Sequence, residues 1–180
     1  MAFKAFKVAY DRESGYVGYK VSGDEYKIDC TKFDKLVMVF KDGHYKVIEL
    51  PEKLFVGPDV IYCAVPDRDR VMTMAYSTRD AAYLKRFTFG GTILDKEYFC
   101  TPPKSKVLYI EEGTPAQLFI RFKPAPYQKV NQQTCNPAEV EVKGPKTLGR
   151  QISIKEVGAV ASTPPRGWDA EAPTTNLKFA

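Results

Sequence analysis

The groups that could do chemistry in this 180-residue sequence are one histidine, four cysteines, two pairs of adjacent carboxylates and 27 lysines and arginines. His44 directly follows the turn pair Asp42-Gly43. A catalytic histidine needs a nucleophile and an orienting partner, and no motif supplies either, so a solvent-facing turn residue is expected. The cysteines at 30, 63, 100 and 135 include no C-x-x-C pair, and one histidine cannot complete a structural zinc site. Their separations of 33, 37 and 35 residues suggest one small buried position in a repeat, occupied by reduced thiols. Asp24-Glu25 and Glu111-Glu112 fall at turns or on strands, where neighbours point to opposite faces and do not converge on a metal. The Phe89-Gly90-Gly91 stretch is too short to cradle phosphate, and no G-x-x-x-x-G-K-[ST] occurs. No catalytic set, metal or cofactor is expected from these residues.

The elements that must position these groups follow from punctuation and period. Thirteen prolines and twelve glycines are spread along the chain and oppose long helices. "DKLVMVFKDGHYKVIEL" (34–50) sets two strand-like runs about Asp-Gly, whose residues accept positive φ in a hairpin turn. Similar candidates run over 5–21, 69–89 and 105–122, with a weaker pair over 138–154 connected by "KGPKTLG". Their first strands centre near Val8, Met38, Thr73 and Tyr109, 30, 35 and 36 residues apart. Short strand-like pieces ending at or near a cysteine lie between them. The chain therefore reads as all-β, a propeller-like array of three to four hairpin-built blades. A β-sandwich or closed barrel is the competing architecture. Residues 1–160 form the expected domain, and 161–180, without alternation, the expected tail. Trp168, the only tryptophan, either pins that tail or is exposed.

Composition bounds the function less tightly. Hydrophobic content of 44% is ordinary for a globular domain. No apolar run approaches the roughly 18 residues of a membrane helix, and the lysine-bearing N-terminus is no secretory signal, so a cytoplasmic protein without membrane partners is expected. The net charge of +5 is modest, and residues 101–150 hold eight basic against four acidic residues. Lys20, Lys46, Lys85, Arg86, Arg121 and Lys123 all fall on or just after the second strand of a hairpin. In a radial array they would form a curved cationic stripe able to follow phosphates without reading bases. Equally, they could be lysines guarding solvated strand edges. A protein-interaction propeller without nucleic acid remains the alternative, with Tyr16, Tyr45 and Tyr83 as candidate exposed aromatics.

Residues 10–25 ("YDRESGYVGYKVSGDE"), 33–57 and 83–99 ("YLKRFTFGGTILDKEYF") resemble the C-terminal β-pinwheel of bacterial type IIA topoisomerase A subunits. Gly23-Asp24-Glu25 matches that family's Gly-Asp-Glu turn. Leu36 to Phe40, Gly43 and Lys46 match its strand pair and basic return position, as Lys85-Arg86 do in the next unit. The resemblance extends over about residues 5 to 123 and, loosely, 138 to 156. The gyrase box Gln-Arg-Arg-Gly-Gly-Lys-Gly is missing. The nearest run, "KGPKTLGR" (143–150), adds Lys143, Lys146 and Arg150 to the candidate DNA-binding set. The resemblance thus implies the topoisomerase IV type, with duplex DNA bound and bent at a basic rim. It further implies partnership with the catalytic core of its own subunit and with an ATPase subunit, in a bacterial, nucleoid-associated, ATP-dependent enzyme. No cleavage tyrosine is matched, so this piece is expected to be non-catalytic, with Met1 an introduced start.

Overall fold

The computed structural model describes residues 6–23 and 25–179; Met1 and Asp24 of the expectations above lie outside them. Among the described residues seventeen short strands follow one another, with a single 3-10 turn at Pro137–Glu139 as the helical element. The all-β expectation holds. The strands make four sheets, distributed over two compact units: residues 1–68 with 90–99, and residues 69–89 with 100–180.

The first unit holds two sheets. In one, β1 (Phe6–Asp11) and β2 (Tyr16–Gly18) form the first predicted hairpin, and β3 (Tyr26–Cys30) pairs with the other side of β1. In the other, β4 (Lys35–Phe40) and β5 (His44–Glu49) fold about Asp42-Gly43. Gly43 has φ +90°, the left-handed conformation this turn requires, and the Asp42 carboxylate accepts the His44 amide. β6 (Leu54–Phe55) extends the first sheet beyond β2, and β7 (Val60–Ala64) pairs with β4. Val8, Tyr10, Leu36, Met38 and Val60 are fully buried in the unit's core.

The second unit is built around β8 (Met72–Ser77) and β9 (Ala82–Phe87), the third predicted hairpin, whereas β10 (Tyr98–Phe99) returns to the first unit beside β5. β11 (Lys106–Glu112) and β12 (Leu118–Phe122) do not form the expected hairpin. β11 pairs with β8 along its length, and the Gly113 amide donates to Val71 O, so the chain continues past β8 into the fourth sheet. There β12 lies between β13 (Gln132–Cys135) and a later strand. The weak pair over 138–154 fails too: β14 (Val142–Lys143) runs parallel to β9 at Arg86 and Phe87, and β15 (Arg150–Ser153) antiparallel at its other end. β16 (Val157–Ala161) is the later strand beside β12.

Of the expected tail, 161–180, the described residues 161–179 do not stand apart from the fold. β17 (Thr174–Leu177) runs parallel to β13, Phe179 is buried, and Trp168 packs edge-on against Phe119 at 5.1 Å. The Gln132 side chain both accepts from Asp169 N and donates to Asp169 O, tying the segment down. No alternation announces it, because an edge strand of three polar residues and Leu177 leaves both faces largely exposed.

The cysteine reading also holds. Cys30, Cys63, Cys100 and Cys135 are all buried and none is in a disulfide. Cys30 and Cys63 occupy one repeated position, on the strand that flanks the first strand of a hairpin, opposite Phe6 and Met38, whereas Cys135 lies on the strand that follows β12, opposite Leu118.

Candidate nucleic-acid interface

The return strands were expected to be rims, and the sheet order explains why they are not. β2, β5 and β9 are each covered on their outer side, by β6, by β10, and by β14 with β15. A cation on β5 or β9 therefore lies inside a sheet and not at its rim. Lys85 is the extreme case, being completely buried. Its ammonium donates to the carbonyls of Cys100, Pro145 (2.7 Å) and Thr147 (3.1 Å), and lies over the Phe87 ring at 4.8 Å. Burial lowers its pKa to about 8, opposed by the Cys100 thiol. Lys85 is withdrawn from the phosphate-contacting set.

Arg86 is half-buried, with Nε donating to Val140 O at 2.7 Å and a terminal nitrogen to Ala138 O at 3.1 Å, which fixes the 3-10 turn to β9. Arg121 donates to Arg166 O at 3.4 Å. Lys20 pairs with Glu52 at 3.4 Å, Lys123 with Glu156 at 2.8 Å, and Lys143 with Glu141 at 3.5 Å. These three pairs are exposed, so each is worth little and can exchange its partner for another anion. Lys46 is half-buried, Lys146 is exposed, and Arg150 is half-buried on β15. The nine residues divide between the units: Lys20 and Lys46 in the first, the other seven in the second.

The second unit gathers a cationic surface that return-strand reasoning missed. Between its two sheets a cleft of about 420 Å³ is lined by Arg79, Asp80, Lys106, Lys123, Lys155 and Glu156. Among the described residues, neither Arg79 nor Lys106 is engaged in an ion pair or side-chain hydrogen bond. The Lys155 ammonium donates to Val130 O at 3.1 Å and sits over the Phe122 ring. Arg79 lies in the β8–β9 turn and Lys106 opens β11, so only the pairing of β11 with β8 brings them together.

Charge is segregated more sharply than composition discloses. Residues 69–89 and 100–180 carry 15 basic and nine acidic residues, against 12 and 13 in the other unit. The whole positive excess belongs to the second unit.

His44 is not the solvent-facing residue expected. Its ring stacks on Phe40 at 4.0 Å and 6°, and Nδ1 donates to the Asp42 carboxylate at 2.5 Å. Burial raises the Asp42 pKa, but the backbone and side-chain bonds from His44 outweigh it and leave the carboxyl below its ordinary value. Tyr45, an expected exposed aromatic, is buried against Tyr98, while Tyr16 and Tyr83 are half-buried. Glu111 accepts from Tyr109 and Glu112 pairs with Arg70, so this carboxylate pair diverges. Among the described residues no helix is long and apolar enough to cross a membrane.

A family described as "Topoisomerase C-terminal domain, Bacteroidota" matches residues 7–164. The fold resembles a crystal structure of the C-terminal domain of DNA topoisomerase IV, with a TM-score of 0.60 and 12% identity. The alignment covers 84% of this chain and 57% of that one, so the chain spans little more than half the length of its structural relative. No curated protein matches the sequence.

Proposed function

The chain belongs to the topoisomerase C-terminal domain family, and from that premise we propose that it binds duplex DNA through the cationic surface of residues 69–89 and 100–180. The observation that carries the reading is the segregation of charge: 15 basic against nine acidic residues in that unit, near balance in the other. Arg79, Lys106, Lys123, Lys155, Lys143, Lys146 and Arg150 supply phosphate contacts, with Arg121 beside them. Lysine and arginine around a shallow cleft, without an element shaped for a groove, favour backbone contacts over base readout. Arg86 contributes through the fold. Lys20 and Lys46 add at most a peripheral contact.

In the parent enzyme, of the topoisomerase IV type by its lack of a gyrase box, the domain holds and bends a segment for the catalytic core of its own subunit, which works with an ATPase subunit. Bending 20–30 base pairs by 40–90° costs on the order of 1–6 kcal/mol, and several phosphate contacts must offset it. The isolated domain binds DNA and cleaves nothing, and its setting is the bacterial cytoplasm at the nucleoid.

Duplex binding across a salt series tests this. With about four to six phosphate contacts, log affinity should fall against log salt with a slope of roughly −4 to −5. Binding that ignores salt, or no shift of a DNA fragment at low salt, would overturn it. A second reading, a protein-docking role, is favoured for the other unit by exposed Phe33, Phe55 and Phe99.

A further inference from the structure

On the side away from β8, β9 is paired at both ends but not in its middle. β14 takes Arg86 and Phe87, β15 takes Ala82 to Leu84, and Lys85 falls between them. The chain joining the two strands, residues 144–149, crosses this gap without ladder bonds to β9. Lys85 supplies what the ladder lacks: its buried ammonium takes the carbonyls of Pro145 and Thr147, with that of Cys100 completing the set. An ammonium has three protons, and all three are used. From β8, the Tyr76 hydroxyl donates to Leu148 O. At Gly149 the backbone lies so close that a Cβ would stand 2.4 Å from Leu84 O and 2.7 Å from the Lys85 Cβ, at φ +86°. The segment's carbonyls at 145, 147 and 148 thus face inward, while Lys146 and Leu148 are exposed outward.

We infer that Lys85 is a positioning residue, whose buried ammonium latches residues 144–149 onto β9 and so holds Lys143, Lys146 and Arg150 in place for phosphate contact. The inference rests on the DNA-binding reading above for its consequence, though the latch itself does not. Replacing the ammonium by an apolar side chain would take from the part-buried carbonyls of Pro145 and Thr147 the donor that holds them inward, and the segment would leave for water to satisfy them. A lysine that looks like a phosphate contact in the sequence thereby acts on DNA only through its neighbours.

Two measurements on the full chain test it, with Lys85→Met and, in case that variant does not fold, Gly149→Ala, which lifts the same segment while keeping the lysine. Trypsin cleavage after Lys146, mapped by mass spectrometry, should be slow in the parent chain and faster in both variants by about tenfold or more. Duplex affinity at low salt should fall by about tenfold, and the salt slope should shrink by roughly two to three. Combining Lys85→Met with Lys143→Ala, Lys146→Ala and Arg150→Ala should cost no more affinity than those three alanines alone. An added loss in that background would mean a general destabilisation and overturn the positioning role. Unchanged cleavage in both variants would overturn the latch, whatever DNA does. Faster cleavage with unchanged affinity would confine Lys85 to structure. If the parent chain binds no duplex, the proposed function fails, while the cleavage result still decides the latch.

Discussion

A fully buried lysine carries a signature in the pH dependence of stability. The Lys85 pKa is lowered from 10.5 to about 8, chiefly by burial. Between those values the folded chain binds fewer protons than the unfolded chain, so this residue contributes stability that grows as pH rises. From pH 7 to 9 the gain is about 1 kcal/mol. Chemical denaturation at both pH values should show the parent chain gaining that amount relative to Lys85→Met; an equal response in the two would remove the claim. The groups beside the ammonium are the Tyr76 ring on β8, at 5.8 Å, and the Cys100 thiol, and burial raises the pKa of Tyr76. The other thiols run the opposite way. Burial pushes Cys63 and Cys135 up to about 12, the nearby Cys30 and Glu139 charges adding to it. A thiol reagent at pH 8 should therefore label these two in the native chain far more slowly than after unfolding. The sequence already pointed to reduced, buried cysteines through their even spacing. It could not separate Lys85 from Lys146, because a lysine beside an arginine on a strand reads the same whether water or carbonyls surround it.

Among the elements, three hairpins were legible because the information is local: a turn pair such as Asp42-Gly43, flanked by strand-forming runs. The failures share one physical cause. "EEGTPAQ" between β11 and β12 looks like a hairpin loop, yet β11 finds its partner in β8, some 35 residues back, and only the ladder reveals it. Two-residue strands such as β6, β10 and β14 have too little length to show a period. β17 is the instructive miss, since all but its last residue is polar and it runs parallel to β13. Ending the chain after Ser162 should strip β17, the Trp168–Phe119 contact and buried Phe179 from the fourth sheet together. Burial of Phe179 alone suggests a loss of about 2 kcal/mol, read as a lower midpoint in urea. A midpoint unchanged by the truncation would return the segment to the status of a tail.

On the scale of the whole molecule, charge distribution matters more than net charge. A net +5 conceals one unit near neutrality and another carrying the entire excess. Matched reversals should separate them: Arg79→Glu with Lys146→Glu should weaken low-salt duplex binding by about tenfold or more, and Lys20→Glu with Lys46→Glu far less. Equal losses from the two pairs would mean that the DNA path ignores the division. The asymmetry was legible only in part: the basic excess of residues 101–150 showed in the sequence, but each unit is assembled from two stretches, so no single window carries the full balance of either.

The strand order of the first three sheets carries a consequence for biosynthesis. Each is finished by residues that leave the ribosome later: β6 caps β2, β10 caps β5, and β14 with β15 cap β9. A nascent hairpin therefore waits with one flank open until the next portion of chain emerges. A single repeat produced alone would keep that flank unsealed and available to any passing strand.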